Sequence, residues 1–390
     1  MAANPPGHSA FSRRRLLAAA AVLAVAACAA ERPRPAAAPA ADPAALDALL
    51  ARRSRAVLGR DKAAFLATIA PDSVGFLARE EERFDALSAI PFASWRESVT
   101  ASSGDLVTLS LTYRLRGFDT ADAVHTAYLR HRGGLITGDG GERHDDPEIW
   151  TSGRVRSVTG RHSLVLGEGP LGEIAAQLDR SVPLVSAVVG GGWARRAVAL
   201  VPADAERASV LAGGQDLSEI VALAAAPANT GGTPGPSRLL ISPEVWRRVN
   251  ALGRRVVLTH ELTHVALNAA ADTTTPMWLV EGFADYVGYR GTGTPVREAA
   301  KELAASVAKG YRPSALPARE AFASGFPRLS QSYQEAWLAC RLIAAEHGEA
   351  ALLRLYREAG RVPEGDAVKK VLGITDLTAR WRAYVLSQLS

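Results

Sequence analysis

Cysteine is nearly absent: 390 residues carry two, Cys28 and Cys340. If Cys28 is consumed by modification, as argued below, Cys340 has no partner within the chain. A disulfide framework is then excluded and stability has to come from packing. Long apolar runs are missing as well. The run from Leu16 to Ala27 has twelve residues, too few to cross a hydrocarbon layer of about 30 Å, and no second hydrophobic span follows. No Lys/Arg block occurs either; the formal charge of +5 falls to +2 without Arg13, Arg14 and Arg15. A basic patch dense enough for nucleic acid is therefore excluded. No internal repeat is present.

What is there begins with "SRRRLLAAAAVLAVAAC", a basic stretch, the short apolar run and a cysteine. This order is that of a secretion signal. "VAAC" resembles a lipobox, in which small residues at Ala26 and Ala27 admit a signal peptidase and the sulfur and new amine of Cys28 then carry lipid. Residues 1–27 are expected to be a signal peptide, and residues 28–45 a lipidated Cys28 with an Ala/Pro-rich tether, "AAERPRPAAAPAADPAA". The chain is thus expected outside the cytoplasm, on the outer face of a bacterial membrane. "SRRRLL" also resembles the twin-arginine export signal, but paired arginines precede ordinary signals too, so the route stays open.

About 340 residues remain, enough for two cores. In residues 46–170 helical patterns come first, "LDALLARRSRAVLGRDKAAFLATIA" and "FLAREEERFDALSAI". Period-two segments follow: "DLVTLSLTYRLRG", "AVHTAYLRHRGGLITGD" and "GRVRSVTGRHSLVLGEG". Helices followed by an antiparallel sheet define an α+β class. The pattern resembles the cone-shaped folds of the cystatin and nuclear-transport-factor group, in which a curved sheet wraps a helix. Residues 171–390 read as mainly helical. The expected order is helix "GEIAAQLDRSVPLVSAVVG", strand "WARRAVALVPA", helix "DLSEIVALAAA", strand "SRLLISPE", and then helices.

The chemistry is concentrated in "VVLTHELTHVALN". On a helix His260 and His264 stand about 40° apart, one turn above the other, and reach a common point. Leu258, Leu262 and Val265 line the neighbouring face, so the helix is expected against a core. Two imidazoles and a carboxylate placed there need a partner, and His-Glu-x-x-His on a helix is a Zn²⁺-binding pattern. Further on, in "TTTPMWLVEGFADYVGYR", Thr275 and Pro276 read as the start of another helix that presents Glu281 and Asp285 on one face. A catalytic zinc takes three protein ligands, which makes Glu281 the third beside His260 and His264. Asp285 is placed to take the second ring proton of His260 and fix its tautomer. Glu261, about 100° round the helix, is the expected base for water whose pKa the metal lowers toward about 7.

These segments, together with "SYQEAWLACRLIAAEHGEAALLRLYREAG", resemble the gluzincin metallopeptidases, the superfamily of thermolysin and the zinc aminopeptidases. The resemblance runs over roughly residues 195–390 and implies a reduced gluzincin domain of the compact bacterial lipoprotein kind, acting on a peptide or protein substrate. It further implies that Tyr333, which matches the tyrosine opening a helix in the aminopeptidase branch, donates its hydroxyl to the tetrahedral intermediate. Two departures stand. The Gly-x-Met-Glu-Asn segment that grips a substrate amine is missing, so aminopeptidase specificity has no support, and the gap from His264 to Glu281 is two residues shorter. "RLLIS" is a candidate for the strand along the cleft edge, by position alone, with an internal strand as the equal alternative. The alternative is a non-catalytic lipoprotein with a structural zinc whose leading domain binds a ligand; such a zinc is normally closed by four protein ligands.

Other patterns carry no role. "SVAK", Ser306 to Lys309, lacks the companion segments of the acyl enzymes. "GDGGERHDD" fits no EF-hand spacing and reads as a hairpin loop. "VVGGGWARR" lacks the βαβ context of a dinucleotide site and reads as a turn. His125, His131, His144, His162 and His347 have no helical partner at i+4.

Overall fold

The computed structural model describes residues 43–390 apart from 152, 216, 218–220 and 226–234. The expected signal peptide, Cys28 and the tether up to residue 42 lie outside the described residues. From Ala41 to Ser390 the chain is one compact unit.

Three helices lead: α1 (Pro43–Gly59), α2 (Lys62–Leu66) and α3 (Val74–Ser88). The first begins at Pro43, inside the stretch whose composition reads as tether, because proline at the opening position forfeits only an N–H that has no helical partner. What reads as one long helix is two. Arg60 turns left-handed at φ 54° after Gly59, and the Asp61 carboxylate caps α2 by accepting the Ala64 N–H at 2.9 Å.

Strands β1 (Phe92–Ser103), β2 (Leu106–Leu115), β3 (Ala123–Arg132) and β4 (Leu135–Asp139) form an antiparallel meander in that order. β1 is absent from the alternating segments of the sequence. Its register shifts between Phe92 and Ser94 and between Val99 and Ala101, and each irregularity resets the period-two signal. α1 packs on this strand: Ser54 Oγ accepts the Glu97 N–H at 3.2 Å, and buried Arg53 meets Glu80 and, at 3.5 Å, Glu97. The acidic loop after β4 is tied to the uncovered half of β3. Asp146 accepts the Thr126 N–H at 2.7 Å, and Asp145 accepts that of Tyr128 at 2.8 Å.

Strands β5 (Arg156–Thr159) and β6 (Ser163–Gly167) do not join that meander. They open a second sheet, with α4 (Leu171–Val189), β7 (Ala197–Val201), α5 (Ala205–Leu211), β8 (Ala222–Ala225) and β9 (Arg238–Ile241) following. The order is β5-β6-β7-β9-β8, with β6, β7 and β9 parallel and the two edge strands antiparallel. The hydrogen bonds of this sheet therefore run across residue 170. Two strand expectations are corrected here. Ala222–Ala225, read as helix on its alanine and leucine content, is extended, because pairing with β9 outweighs local propensity. And "RLLI", the candidate cleft edge, is interior: all four residues of β9 are buried, the continuous pattern of a strand covered on both faces. The edge is β8.

The rest is helical: α6 (Pro243–Arg248), α7 (Ala251–Leu267), α8 (Met277–Tyr289), α9 (Val296–Ala299), α10 (Lys301–Ala308), α11 (Leu329–His347), α12 (Glu349–Ala359), α13 (Glu364–Leu372) and α14 (Leu377–Leu389). The described chain is thus a mixed α+β protein with an antiparallel sheet and a helical C-terminal part. Helices α4, α7, α8 and α11 pack in succession around a core that includes Leu258, Leu262, Phe283, Trp337, Cys340 and Trp381. Two glycines set the spacing. A Cβ on Gly288 would come 3.0 Å from the Val256 carbonyl oxygen of α7, and one on Gly282 would overlap the Ala336 carbonyl of α11. Among the described residues no helix is long and apolar enough to cross a membrane.

Candidate metal centre

Helix α7 is closed at both ends by its own asparagines. The Asn250 side chain accepts the Gly253 N–H at 2.8 Å, and Asn268 leaves the helix left-handed at φ 54°. Leu258 and Leu262 are fully buried, which fixes the helix's rotation. Behind it, Thr259 Oγ1 meets Ser181 of α4 at 2.8 Å and bonds the Arg255 carbonyl at 2.7 Å. With one face held so, His260 and His264 are forced onto the face toward α8.

Helix α8 begins one residue later than the sequence suggests. Met277 opens it and Pro276 is the cap, while Thr275 turns inward and donates its hydroxyl to Asp272 Oδ2 at 2.6 Å. Asp272 Oδ1 also accepts the N–H groups of Thr274 and Thr275, each at 3.0 Å. Burial works against charge on Asp272, but these donors outweigh it and lower its pKa. The short loop between the two helices is thus organised on one carboxylate.

The side chains of His260, His264 and Glu281 converge, each offering one ligand atom within 4.8 Å of the others. His260 Nε2 lies 3.0 Å from His264 Nε2 and 3.2 Å from Glu281 Oε2, and the remaining edge, His264 Nε2 to Glu281 Oε2, is 3.5 Å. Tetrahedral zinc with bonds of about 2.0–2.2 Å sets ligand atoms roughly 3.3–3.5 Å apart; the 3.5 Å edge matches this and the other two are slightly shorter, so the triangle is close to the size the ion needs. The donor chemistry fits as well. His260 Nδ1 faces Asp285 Oδ1 at 2.8 Å; the carboxylate takes the ring proton there and leaves the Nε2 lone pair for the cluster. Two ring nitrogens facing each other can share one proton at most, and a cation resolves the contact.

The electrostatics follow from crowding. Burial disfavours charge on His260, but Asp285 and then Glu281 and Glu261 overcome it and raise its pKa well above the usual value. Burial likewise opposes ionisation of Glu281, and the two histidines override it, holding this carboxyl far below the usual range. Glu261 stands outside the triangle. Burial raises its pKa against the opposing effect of both histidines and of a backbone donor, the Ala224 N–H of β8, which meets Glu261 Oε2 at 2.8 Å. That contact was not readable from the sequence, which gave residues 222–225 to a helix.

Tyr333 of α11 lies over the same site. Its ring centroid is 6.3 Å from that of His260, and Phe322 packs edge-on against it at 5.2 Å. Burial, then the charges of Glu281, Asp285 and Glu261, raise its pKa and keep the hydroxyl protonated. The structure therefore assembles His260, Glu261, His264, Glu281, Asp285 and Tyr333 in one place. Cys28 lies outside the described residues. Among the described residues the other histidines do not join this cluster; buried His125 pairs with Glu148 at 2.9 Å.

No family model matches the chain, and no curated protein matches it in sequence. Its neighbours among solved structures are M1 zinc metallopeptidases. A two-domain M1 zinc metallopeptidase, in a glutamate-to-alanine mutant bound to L-tryptophan, is 15% identical with a TM-score of 0.36, over 68% of this chain and 60% of that one. The M1 zinc metallopeptidase of Deinococcus radiodurans, as the corresponding mutant bound to a Tyr-Ser-Ala substrate, is 16% identical with a TM-score of 0.36, over 73% and 62%. Without that substrate the Deinococcus radiodurans mutant matches at 14% identity and a TM-score of 0.35, over 76% and 72%. The match spans about three fifths of the length of the first two.

Proposed function

We propose that the chain hydrolyses peptide bonds with a zinc ion held by His260, His264 and Glu281. The observation that carries this reading is the triangle of three ligand atoms with a fourth carboxylate, Glu261, beside it and not part of it. A structural site has no use for such a neighbour. Zinc bound there supplies Lewis acidity and lowers the pKa of water. Glu261 accepts the proton that the attacking water gives up and returns it to the departing amine. Tyr333 donates its hydroxyl to the oxygen on which charge develops. Asp285 keeps the His260 ring in the one orientation that presents Nε2.

A peptide as substrate is supported by the edge strand. Ser242 N–H donates to Val221 O, so by alternation Leu223 and Ala225 bond to β9 while Ala222 and Ala224 turn their main-chain groups outward. The Ala222 N–H and the carbonyls of Ala222 and Ala224 suit an extended partner read by its backbone.

We read the leading half as a cone-like domain, on the packing of α1 against the four-stranded meander. The chain is proposed to be an exported lipoprotein anchored through Cys28; the support is the basic, apolar and small-residue order of "SRRRLLAAAAVLAVAAC". The experiment that tests the function is digestion of a mixed peptide library by wild type and by Glu261→Gln, with zinc content measured on both. Zinc retained with turnover lost supports the reading. Full activity in Glu261→Gln removes it.

A further inference from the structure

Glu261 is held from outside its own helix. Its Oε2 takes the Ala224 N–H at 2.8 Å, which leaves Oε1 as the oxygen free to meet water. A four-residue edge strand is a weak anchor for such a contact: β8 has β9 on one side only. Its neighbour is fastened elsewhere. Ala225 pairs in register with Arg238 of β9, and the Arg238 guanidinium grips Asp119 with two parallel bonds, Nη1 to Oδ1 at 2.6 Å and Nη2 to Oδ2 at 2.8 Å. Asp119 sits in the turn between β2 and β3, in the other sheet, and its Oδ2 also accepts the Leu115 N–H at 2.8 Å. Both side chains of the pair are 5% exposed or less. Bidentate geometry fixes orientation as well as distance.

We propose that Asp119 and Arg238 are positioning residues for the reaction: through β9 and β8 they hold the Ala224 amide against Glu261, and the leading half of the chain thereby sets the aim of the base. This rests on the peptidase reading for its kinetic consequence, but not for its structural one. A spacer domain would have no reason to bury an ion pair in the strand next to the site, where breaking one partner leaves an uncompensated charge.

The test uses the full chain and reads amide hydrogen exchange along β8 together with kinetics. In Glu261→Ala the Ala224 amide should exchange at least about tenfold faster, with Leu223 and Ala225, which bond to β9, unchanged. In Asp119→Asn the amides of Leu223, Ala224 and Ala225 should exchange faster by a similar factor while those of α7 do not change. kcat should fall about tenfold at unchanged KM and zinc content, the loss expected of a misaimed base. Ala224→Pro, which removes the N–H at an outward edge position, should cost as much. The double variant should then lose no more than Ala224→Pro alone, because the two changes act through one contact. If Asp119→Asn does not fold, Arg238→Lys replaces it, keeping the charge and losing the fork. Unchanged Ala224 exchange in Glu261→Ala, β8 exchange indifferent to Asp119→Asn, or additive kinetic losses would each overturn the proposal. A wild type without peptidase activity would remove the function proposed above, and the exchange measurements would still decide this one.

Discussion

The Asp285 carboxylate holds the His260 ring at Nδ1 from a distance of 2.8 Å, one helical turn beyond Glu281 on the same face of α8. One helix thus supplies both a proposed ligand and the group that orients another. Asp285→Asn retains the shape and an acceptor oxygen but loses the charge. Zinc affinity, measured by competition with a chelator, should weaken about 10–100-fold, with the fold intact.

Tyr333→Phe removes a hydroxyl and nothing else. If that hydroxyl stabilises developing negative charge, kcat should drop about 10²–10³-fold with KM nearly constant. Steady-state kinetics on one peptide substrate measure both. A change confined to KM would place Tyr333 in binding instead.

Gly282 is where α8 and α11 touch. Alanine there would drive its Cβ into the Ala336 carbonyl and to 3.0 Å from Cys340 Sγ, and backbone cannot yield as a flexible side chain does. Overpacking of this kind costs about 1–3 kcal/mol or more, so Gly282→Ala should melt several degrees lower. Because Glu281 precedes it and Tyr333 stands one turn before Ala336 on α11, zinc affinity and kcat should fall as well. Calorimetry and metal titration separate these effects.

Asp272 gives the loop between α7 and α8 a pH dependence of known sign. Its pKa is lower in the folded chain than in the unfolded one. The stability it contributes is therefore full above the unfolded value of about 4 and is lost as pH falls through the folded value. Asp272→Asn lacks this contribution. The difference in urea midpoint between wild type and Asp272→Asn should be largest at neutral pH and shrink below about pH 4; a difference independent of pH would refute the assignment.

The site was legible where its logic is helical. The spacing of His260 and His264, and of Glu281 and Asp285, is a property of one turn, and a single sequence displays it. Parts of the fold were legible for a related reason, since β2 and β3 alternate from end to end and β6 and β7 are short apolar runs bounded by turn residues. β1 was not, because its bulges break the alternation. β8 was misread because four small apolar residues suit either state, and only β9 decides between them. Nor does a chain advertise bonds made by its backbone or across long separations. The Ala224 N–H has no letter in the sequence, and Asp119 and Arg238 lie 119 residues apart. The boundary of α8 slipped by one residue because Thr275, a good cap by type, serves Asp272 instead.

The loop after β4 has a consequence wherever two copies of the chain meet. Asp145 and Asp146 occupy the outward amides of Tyr128 and Thr126, and Asp146 N–H returns a bond to the Thr126 carbonyl at 2.9 Å. A neighbouring molecule approaching β3 there meets anionic side chains and satisfied peptide groups, not an open row of donors. That flank of the sheet is thereby closed to strand exchange between molecules.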